Sequence, residues 1–172
     1  MSETYNYAPH PHQHVTHDTP IRVDHVGIAV ESVENAEPVL FALGCRKLVD
    51  ETVAGFRWAQ YDFGRDASRL ELIAPEAGDT FLTDFLDDRG PGLHHVTLEV
   101  ADIGAVVDTL EATDLRVVDY QDMGDWTEAF VSPDNPTGTL FQLFEYHDGY
   151  AENRPPADRL FVDGDRLTAG PE

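Results

Sequence analysis

The chain has 172 residues, 41% of them hydrophobic and 26% charged, which is enough to bury one domain-sized core and too apolar for a disordered segment. Its 33 acidic residues against 11 basic ones give a formal net charge of -22, a surface that repels phosphate backbones and anionic headgroups, so nucleic-acid and membrane roles are not expected. No apolar run approaches the roughly 18 residues of a membrane span, and residues 1–20 hold no hydrophobic leader stretch, so the expected compartment is the cytoplasm.

Residues 1–20 are polar, with His10, His12, His14 and His17 among prolines, and read as a mobile His-rich arm. Without fixed geometry, such histidines collect metals only loosely. From residue 21 the pattern changes. Asp24-His-Val-Gly-Ile-Ala-Val30 alternates as a strand, and a helix is expected within 32–43. Pro38 is best tolerated in a first helical turn, which makes Asn35 the expected N-cap rather than Ser32. Cys45, the only cysteine, ends an apolar stretch and reads as a buried, inert thiol. Strand-like runs follow near 46–50, 56–63 and 69–73, with a turn at Gly64-Arg-Asp66. Residues 79–88, with Phe81, Leu82, Phe85 and Leu86, read as a short amphipathic linking helix. A second alternating strand, His94-His-Val-Thr-Leu-Glu-Val100, precedes a helix within 101–112 capped by Asp102. Strands near 116–119, 127–131 and 139–146 complete the body, with turn residues at Ser132-Pro-Asp-Asn-Pro-Thr-Gly138. Residues 147–172 form a C-terminal extension in which Asn153-Arg-Pro-Pro156 breaks regular structure and 159–162 adds one short strand.

The two halves of the body repeat. Sliding the chain by about seventy positions sets His25-Val26 on His95-Val96, Val30 on Val100, Leu40 on Leu110 and Arg46 on Arg116. Each half is β-α-β-β-β, and one such sheet cannot bury its apolar face alone. The expected fold is therefore α+β, a single domain over 21–146. Two paired βαβββ modules, about 21–75 and 92–146, would form a curled mixed sheet around a central site.

That arrangement selects four polar residues. Strand alternation separates His25 from the apolar face of Val26, Ile28 and Val30, and the repeat treats His95 in the same way. Glu71 lies between Leu70 and Leu72, and Gln142 between Phe141 and Leu143; a carboxylate or amide in so apolar a strand is costly unless partnered. Two imidazoles, a carboxylate and an amide oxygen make a workable set for one divalent cation with positions left for substrate. Each residue alone reads more readily as a hydrogen-bonded structural group; the case rests on their recurrence at matching positions.

These segments carry a resemblance. Asp24-His-Val-Gly-Ile-Ala-Val30, Leu70-Glu-Leu-Ile-Ala-Pro75, Gly90-Pro-Gly-Leu-His-His-Val96, Ala129-Phe-Val-Ser-Pro133 and Thr137-Gly-Thr-Leu-Phe-Gln-Leu143 resemble the vicinal oxygen chelate (glyoxalase-like) superfamily over about 22–145. Within it they are most similar to methylmalonyl-CoA epimerases. The resemblance implies paired βαβββ modules and one divalent metal ion (cobalt, manganese, nickel, zinc or iron(II)) at His25, Glu71, His95 and Gln142. It also implies a small-molecule substrate of the acyl-CoA class and a homodimer joined through sheet edges. Proton transfer next to a thioester carbonyl would fall to Glu71 as the catalytic carboxylate.

Three features depart from the epimerase pattern. Those enzymes more often carry the amide in the first module and the carboxylate in the second, so Glu71 and Gln142 look exchanged, and a neutral Gln142 leaves the metal set one negative charge short. Glu145 is expected on the opposite strand face and cannot stand in. Trp58 occupies a position where some epimerases place an acidic base, and the segment 119–128 is shorter than their glycine-rich one. The alternatives are a glyoxalase I-type lyase acting on a hemithioacetal and a non-catalytic small-molecule binding protein on the same scaffold. His94 is expected to point away from His95, across the strand. Lastly, acidity spread along the chain with a single lysine, Lys47, suits a halophilic cytoplasm, where salt screens self-repulsion.

Overall fold

The computed structural model describes residues 17–63, 68–113 and 115–148, together with the backbone of two short strands near the C-terminus. Residues 1–16 of the expected arm, the turn at 64–67 and most of the C-terminal extension lie outside the described residues.

Each half is built as the repeat requires. The first runs β1 (Ile21–Ala29), α1 (Val33–Ala42), β2 (Arg46–Val53), β3 (Phe56–Asp62) and β4 (Arg69–Pro75). After α2 (Phe81–Arg89) the second runs β5 (Gly92–Val100), α3 (Ile103–Glu111), β6 (Val117–Asp122), β7 (Trp126–Val131) and β8 (Leu140–Tyr146). The remaining pair, β9 (Phe161–Val162) and β10 (Asp165–Arg166), forms a separate two-stranded ribbon. The eight strands of the body make one open mixed sheet in the order β2-β3-β4-β1-β5-β8-β7-β6, a sequence that reads the same from either end under the repeat. β1 is parallel to β4 and β5 parallel to β8, while β1 and β5 meet antiparallel at the joint between modules.

Two apolar clusters anchor the outer helices. Val33 and Leu40 of α1 pack with Val30, Tyr61, Leu72 and Ala74. Ile103 and Val106 of α3 pack with Val100, Ala129, Val131 and Leu143. On the inner side, α2 sets Leu82 against Ala29 and Ile73, flanked by Phe56, Trp58, Phe85 and Leu86. The sheet therefore has helices α1 and α3 behind it and a largely polar inner surface at its centre. Among the described residues, no helix is long and apolar enough to cross a membrane.

Local chemistry explains most element ends. Val53 pairs with Phe56 across a two-residue loop in which Ala54 (φ 50°) and Gly55 (φ 86°) both take positive φ, the geometry of a tight hairpin turn. Asp102 caps α3 as expected, its carboxylate accepting from Ala105 N at 2.9 Å. The cap of α1 differs from expectation. Ser32, with extended backbone, accepts from Asn35 N at 3.3 Å, and the helix begins at Val33. Pro38 consequently falls in the second turn, where the carbonyl of Glu34 forfeits its usual i+4 donor. Cys45 is buried, and burial followed by the nearby Asp62 charge pushes its thiol up, in keeping with an inert thiol.

Candidate metal centre

The centre of the site is the β1–β5 joint, and its register is interrupted twice. Val23 faces Leu98 and His25 faces Thr97, leaving Asp24 as an extra residue in β1. Gly27 faces His95 and Ile28 faces Leu93, leaving His94 as an extra residue in β5. Each is a bulge, which breaks the simple in–out alternation and re-aims the side chain. Asp24 and His94 are mates under the seventy-residue repeat, and each immediately precedes one of the two candidate ligand histidines.

Asp24 is 1% exposed, and its Oδ2 lies 2.7 Å from His25 Nδ1. The same carboxylate accepts from Arg22 Nη2 at 3.0 Å, from Arg69 Nη2 and from the Tyr146 hydroxyl at 3.2 Å. Arg22 also donates through Nε to the buried Glu99 at 2.6 Å. Burial pushes the Asp24 carboxyl up, but Arg69, His25 and Arg22 outweigh it and hold it well below the usual carboxylate range. A charged Asp24 thus fixes the His25 ring with Nε2 facing inward.

His94 does not point away from His95, which corrects the expectation from alternation. Its Nδ1 lies 3.0 Å from His95 Nδ1, and its ring packs against Phe81 and Phe85 of α2. The bulge is the physical reason: the extra residue no longer obeys strand parity. Burial and the neighbouring His95 push His94 down to about 4, so its ring is neutral at ordinary pH.

Glu71 closes the cluster from β4. Its Oε2 lies 3.6 Å from His25 Nε2 and 3.4 Å from His95 Nε2, while Oε1 accepts from Gln60 Nε2 at 3.3 Å. Ligand atoms of His25, Glu71 and His95 all lie within 4.8 Å of one another, and all three residues are buried. Burial pushes the Glu71 carboxyl up, yet its contacts with His25 and His95 hold it well below the usual range. Burial depresses His25, but Glu71 and Asp24 more than offset this and raise it to about 9.

Within the His25–Glu71–His95 cluster, one buried ring nitrogen lacks a hydrogen bond. His95 Nε2 makes no hydrogen bond, although it faces the carboxylate. Gly27, across the joint, leaves the room that the imidazole fills, since a Cβ there would sit 2.0 Å from His95 Cε1. An orphaned ring nitrogen, a second imidazole held by its far nitrogen and an ionised carboxylate are a donor set that fits a first-row divalent cation.

Gln142 occupies in β8 the place Glu71 holds in β4: Glu71 faces Gly27 and Gln142 faces Thr97, the repeat mate of Gly27. The one-residue slip between them is the extra step before the last strand. Thr97 Oγ1 donates to Gln142 Oε1 at 2.8 Å and lies 2.9 Å from His25 Nε2, so one hydroxyl joins the amide oxygen to the cluster. Glu145 faces the other way, accepting from Ile103 N at the start of α3. Trp58 packs against the apolar group around Leu82. The sequence reading does not single out several polar partners, among them Asp24, Gln60, Thr97 and Glu128, whose Oε2 accepts from Gln142 Nε2. The repeat itself was the available signal, since Asp24 and Thr97 are the mates of His94 and Gly27, and Glu128 is the mate of Trp58.

With its pseudo-twofold sheet and central His–Glu–His cluster, the architecture is that of a paired-βαβββ protein with side chains of metal-ligating type at its centre. The model of the Glyoxalase/Bleomycin resistance protein/Dioxygenase superfamily matches residues 24–130, and the chain belongs to that superfamily. A methylmalonyl-CoA epimerase from Mycobacterium tuberculosis superposes with a TM-score of 0.67 at 28% identity, covering 76% of this chain and 91% of that one. A Streptomyces coelicolor methylmalonyl-CoA epimerase variant in complex with 2-nitronate-propionyl-CoA gives 0.63 at 26% identity, over 72% and 92% of the two chains. An uncharacterized Bacillus subtilis (strain 168) protein, YqjC, is 31% identical over 128 residues, 72% of this chain and 91% of its own.

Proposed function

We propose that the chain is a metal-dependent isomerase of the epimerase type, moving a proton on the carbon beside the thioester carbonyl of an acyl-CoA. The observation that carries this reading is the buried cluster of His25, Glu71 and His95, set in a fold shared with methylmalonyl-CoA epimerases. His25, Glu71 and His95 would hold the ion, with Gln142 Oε1 as a fourth donor; mixed nitrogen and oxygen donors suit cobalt, manganese, nickel, zinc or iron(II). Such an ion supplies Lewis acidity at the substrate carbonyl oxygen and steadies the negative charge that gathers there.

The chain's own residues do the rest. Asp24 holds the His25 ring from behind. Phe144 stands edge-on to His25, with the tilted Trp126 ring beyond it, and gives that side of the site an apolar wall. Glu71 is the carboxylate that lies against both histidines, which supports reading it as the group that takes the α-proton. The C–H bond breaks, its electron pair moves onto the thioester carbonyl, and the proton passes to a Glu71 oxygen. A proton from solvent then adds to the opposite face of the same carbon as the electron pair returns from the carbonyl, and Glu71 gives its own proton up to solvent, which completes the epimer and restores the carboxylate.

The test is exchange of the α-proton of methylmalonyl-CoA in deuterated buffer, followed by NMR with cobalt(II)-loaded protein. Wild type should exchange it, and Glu71→Gln should be slower by about 100-fold or more, the usual loss on removing a general base. No exchange by the loaded wild type, or full exchange by Glu71→Gln, would sink this reading. Exchange on a hemithioacetal but not on the acyl-CoA would instead place the chain with the glyoxalase-type lyases.

A further inference from the structure

The two modules solve the same problem with their chemistry exchanged. In the first, the candidate ligand is a carboxylate, Glu71, and the neighbouring strand grips it with an amide: Gln60 Nε2 donates to Glu71 Oε1 at 3.3 Å. In the second, the candidate ligand is an amide, Gln142, and the neighbouring strand grips it with a carboxylate: Gln142 Nε2 donates to Glu128 Oε2 at 3.4 Å. Both pairs are a glutamine and a glutamate on adjacent inner strands, with the roles swapped. Glu128 reaches Gln142 from the position that mates with Trp58, for Trp58 faces Ile73 in the first module and Glu128 faces Phe144 in the second.

We infer that Glu128 is a positioning residue that turns the Gln142 amide so its carbonyl oxygen faces the metal site. Either end of a primary amide can face inward, and the two ends are nearly the same size, so shape alone cannot choose between them. The Thr97 hydroxyl cannot choose either, since it can donate to an oxygen or accept from an N–H. A carboxylate only accepts, so it takes the NH₂ end and leaves Oε1 to the Thr97 hydroxyl, which also meets His25 Nε2. Glu128 is itself held in place, 9% exposed, with Gln121 Nε2 donating to Oε1 at 2.9 Å and Trp126 Nε1 to Oε2 at 3.3 Å. Both of its oxygens are engaged by N–H donors, which fixes the carboxylate against the Gln142 amide. It also places the negative charge that Gln142 lacks at one hydrogen bond's remove from the site.

This inference rests on the reading of Gln142 as a ligand. The test is calorimetric titration of metal-free protein with cobalt(II), the d–d absorption band reporting the ligand set and urea unfolding reporting the fold. Glu128→Gln, which can offer Gln142 either a donor or an acceptor, should bind cobalt(II) about 10-fold or more weakly, the usual loss on removing the partner of a ligand. The exchange variant Glu128→Gln with Gln142→Glu rebuilds the pattern of the first module and should bind at least as tightly as wild type. A merely structural Glu128 would change the urea midpoint without this rescue. Unchanged affinity in Glu128→Gln overturns the inference, as does an exchange variant no tighter than Gln142→Ala; the second comparison holds even if Glu128→Gln does not fold. Gln142→Ala binding as tightly as wild type, or a wild type that binds no cobalt(II), overturns the ligand reading itself and this inference with it.

Discussion

The imidazole of His25 is held from behind by a carboxylate, Asp24, whereas that of His95 is met by a second imidazole, His94. The difference gives the site a defined response to pH. In the metal-free protein His25 is raised from 6.5 to about 9. Its contribution to stability is therefore complete below about 6.5 and is lost as pH rises through about 9. Asp24 and Glu71 are lowered instead, so their contributions are present above about 4.5 and lost only in acid. Urea unfolding of metal-free protein should show greatest stability near pH 5–6.5 and a decline towards pH 9. Cobalt(II) affinity should run the other way, rising over the same interval as the His25 proton ceases to compete. Parallel trends would contradict the assignment of His25 to both roles. A second expectation at this scale concerns Gly27: alanine there meets the His95 ring at 2.0 Å. Gly27→Ala should remain folded yet bind cobalt(II) at least about 10-fold more weakly, as expected when a ligand is misplaced.

At the scale of elements, hydrophobic alternation and the repeat were enough to find every strand of the body, both outer helices and the linking helix. They were also enough to bring His25, Glu71 and His95 to one place. What they could not show is an extra residue in a strand. Alternation assumes that parity continues, and the bulges at Asp24 and His94 suspend it, so alternation neither singles out Asp24 nor assigns His94 its true face. Glu128 was missed because a glutamate on a strand near solvent-rich turns looks ordinary until its neighbour Gln142 is placed beside it. The cap of α1 was misjudged because Pro38 was given a first turn at the expense of a well-placed serine. That correction has its own test. Ser32→Ala should lower unfolding free energy by about 1 kcal/mol, the usual worth of an N-cap, while Asn35→Ala should stay within about 0.5 kcal/mol of wild type, as for a surface change. Urea melts of the two variants decide between the caps, and the reverse order would restore Asn35.

For the molecule as a whole, two salt effects oppose each other. Salt weakens the partly exposed ion pairs among α1, β2 and β3, such as Arg57 with Asp50 and Glu34, and Lys47 with Glu37 and Asp50. Salt also screens the self-repulsion of a chain carrying -22. Exposed pairs contribute about 0–1 kcal/mol each, whereas the repulsion involves an excess of acids over the whole surface and is cut as the Debye length falls from about 10 Å to about 3 Å between 0.1 M and 1 M salt. Repulsion is the larger quantity, so the melting temperature should be higher in molar potassium chloride than in 0.1 M. Equal or lower values in high salt would remove the halophilic reading of the composition.

If the two half-repeats meet around one ion, both histidines must be needed to hold it. Titration of metal-free protein with cobalt(II) in molar potassium chloride, comparing wild type with His95→Ala, tests it directly. One ion per chain in the wild type and none in His95→Ala, with both proteins folded, is the predicted result. A wild type that takes up no ion, or a His95→Ala variant that binds one as tightly, would contradict it.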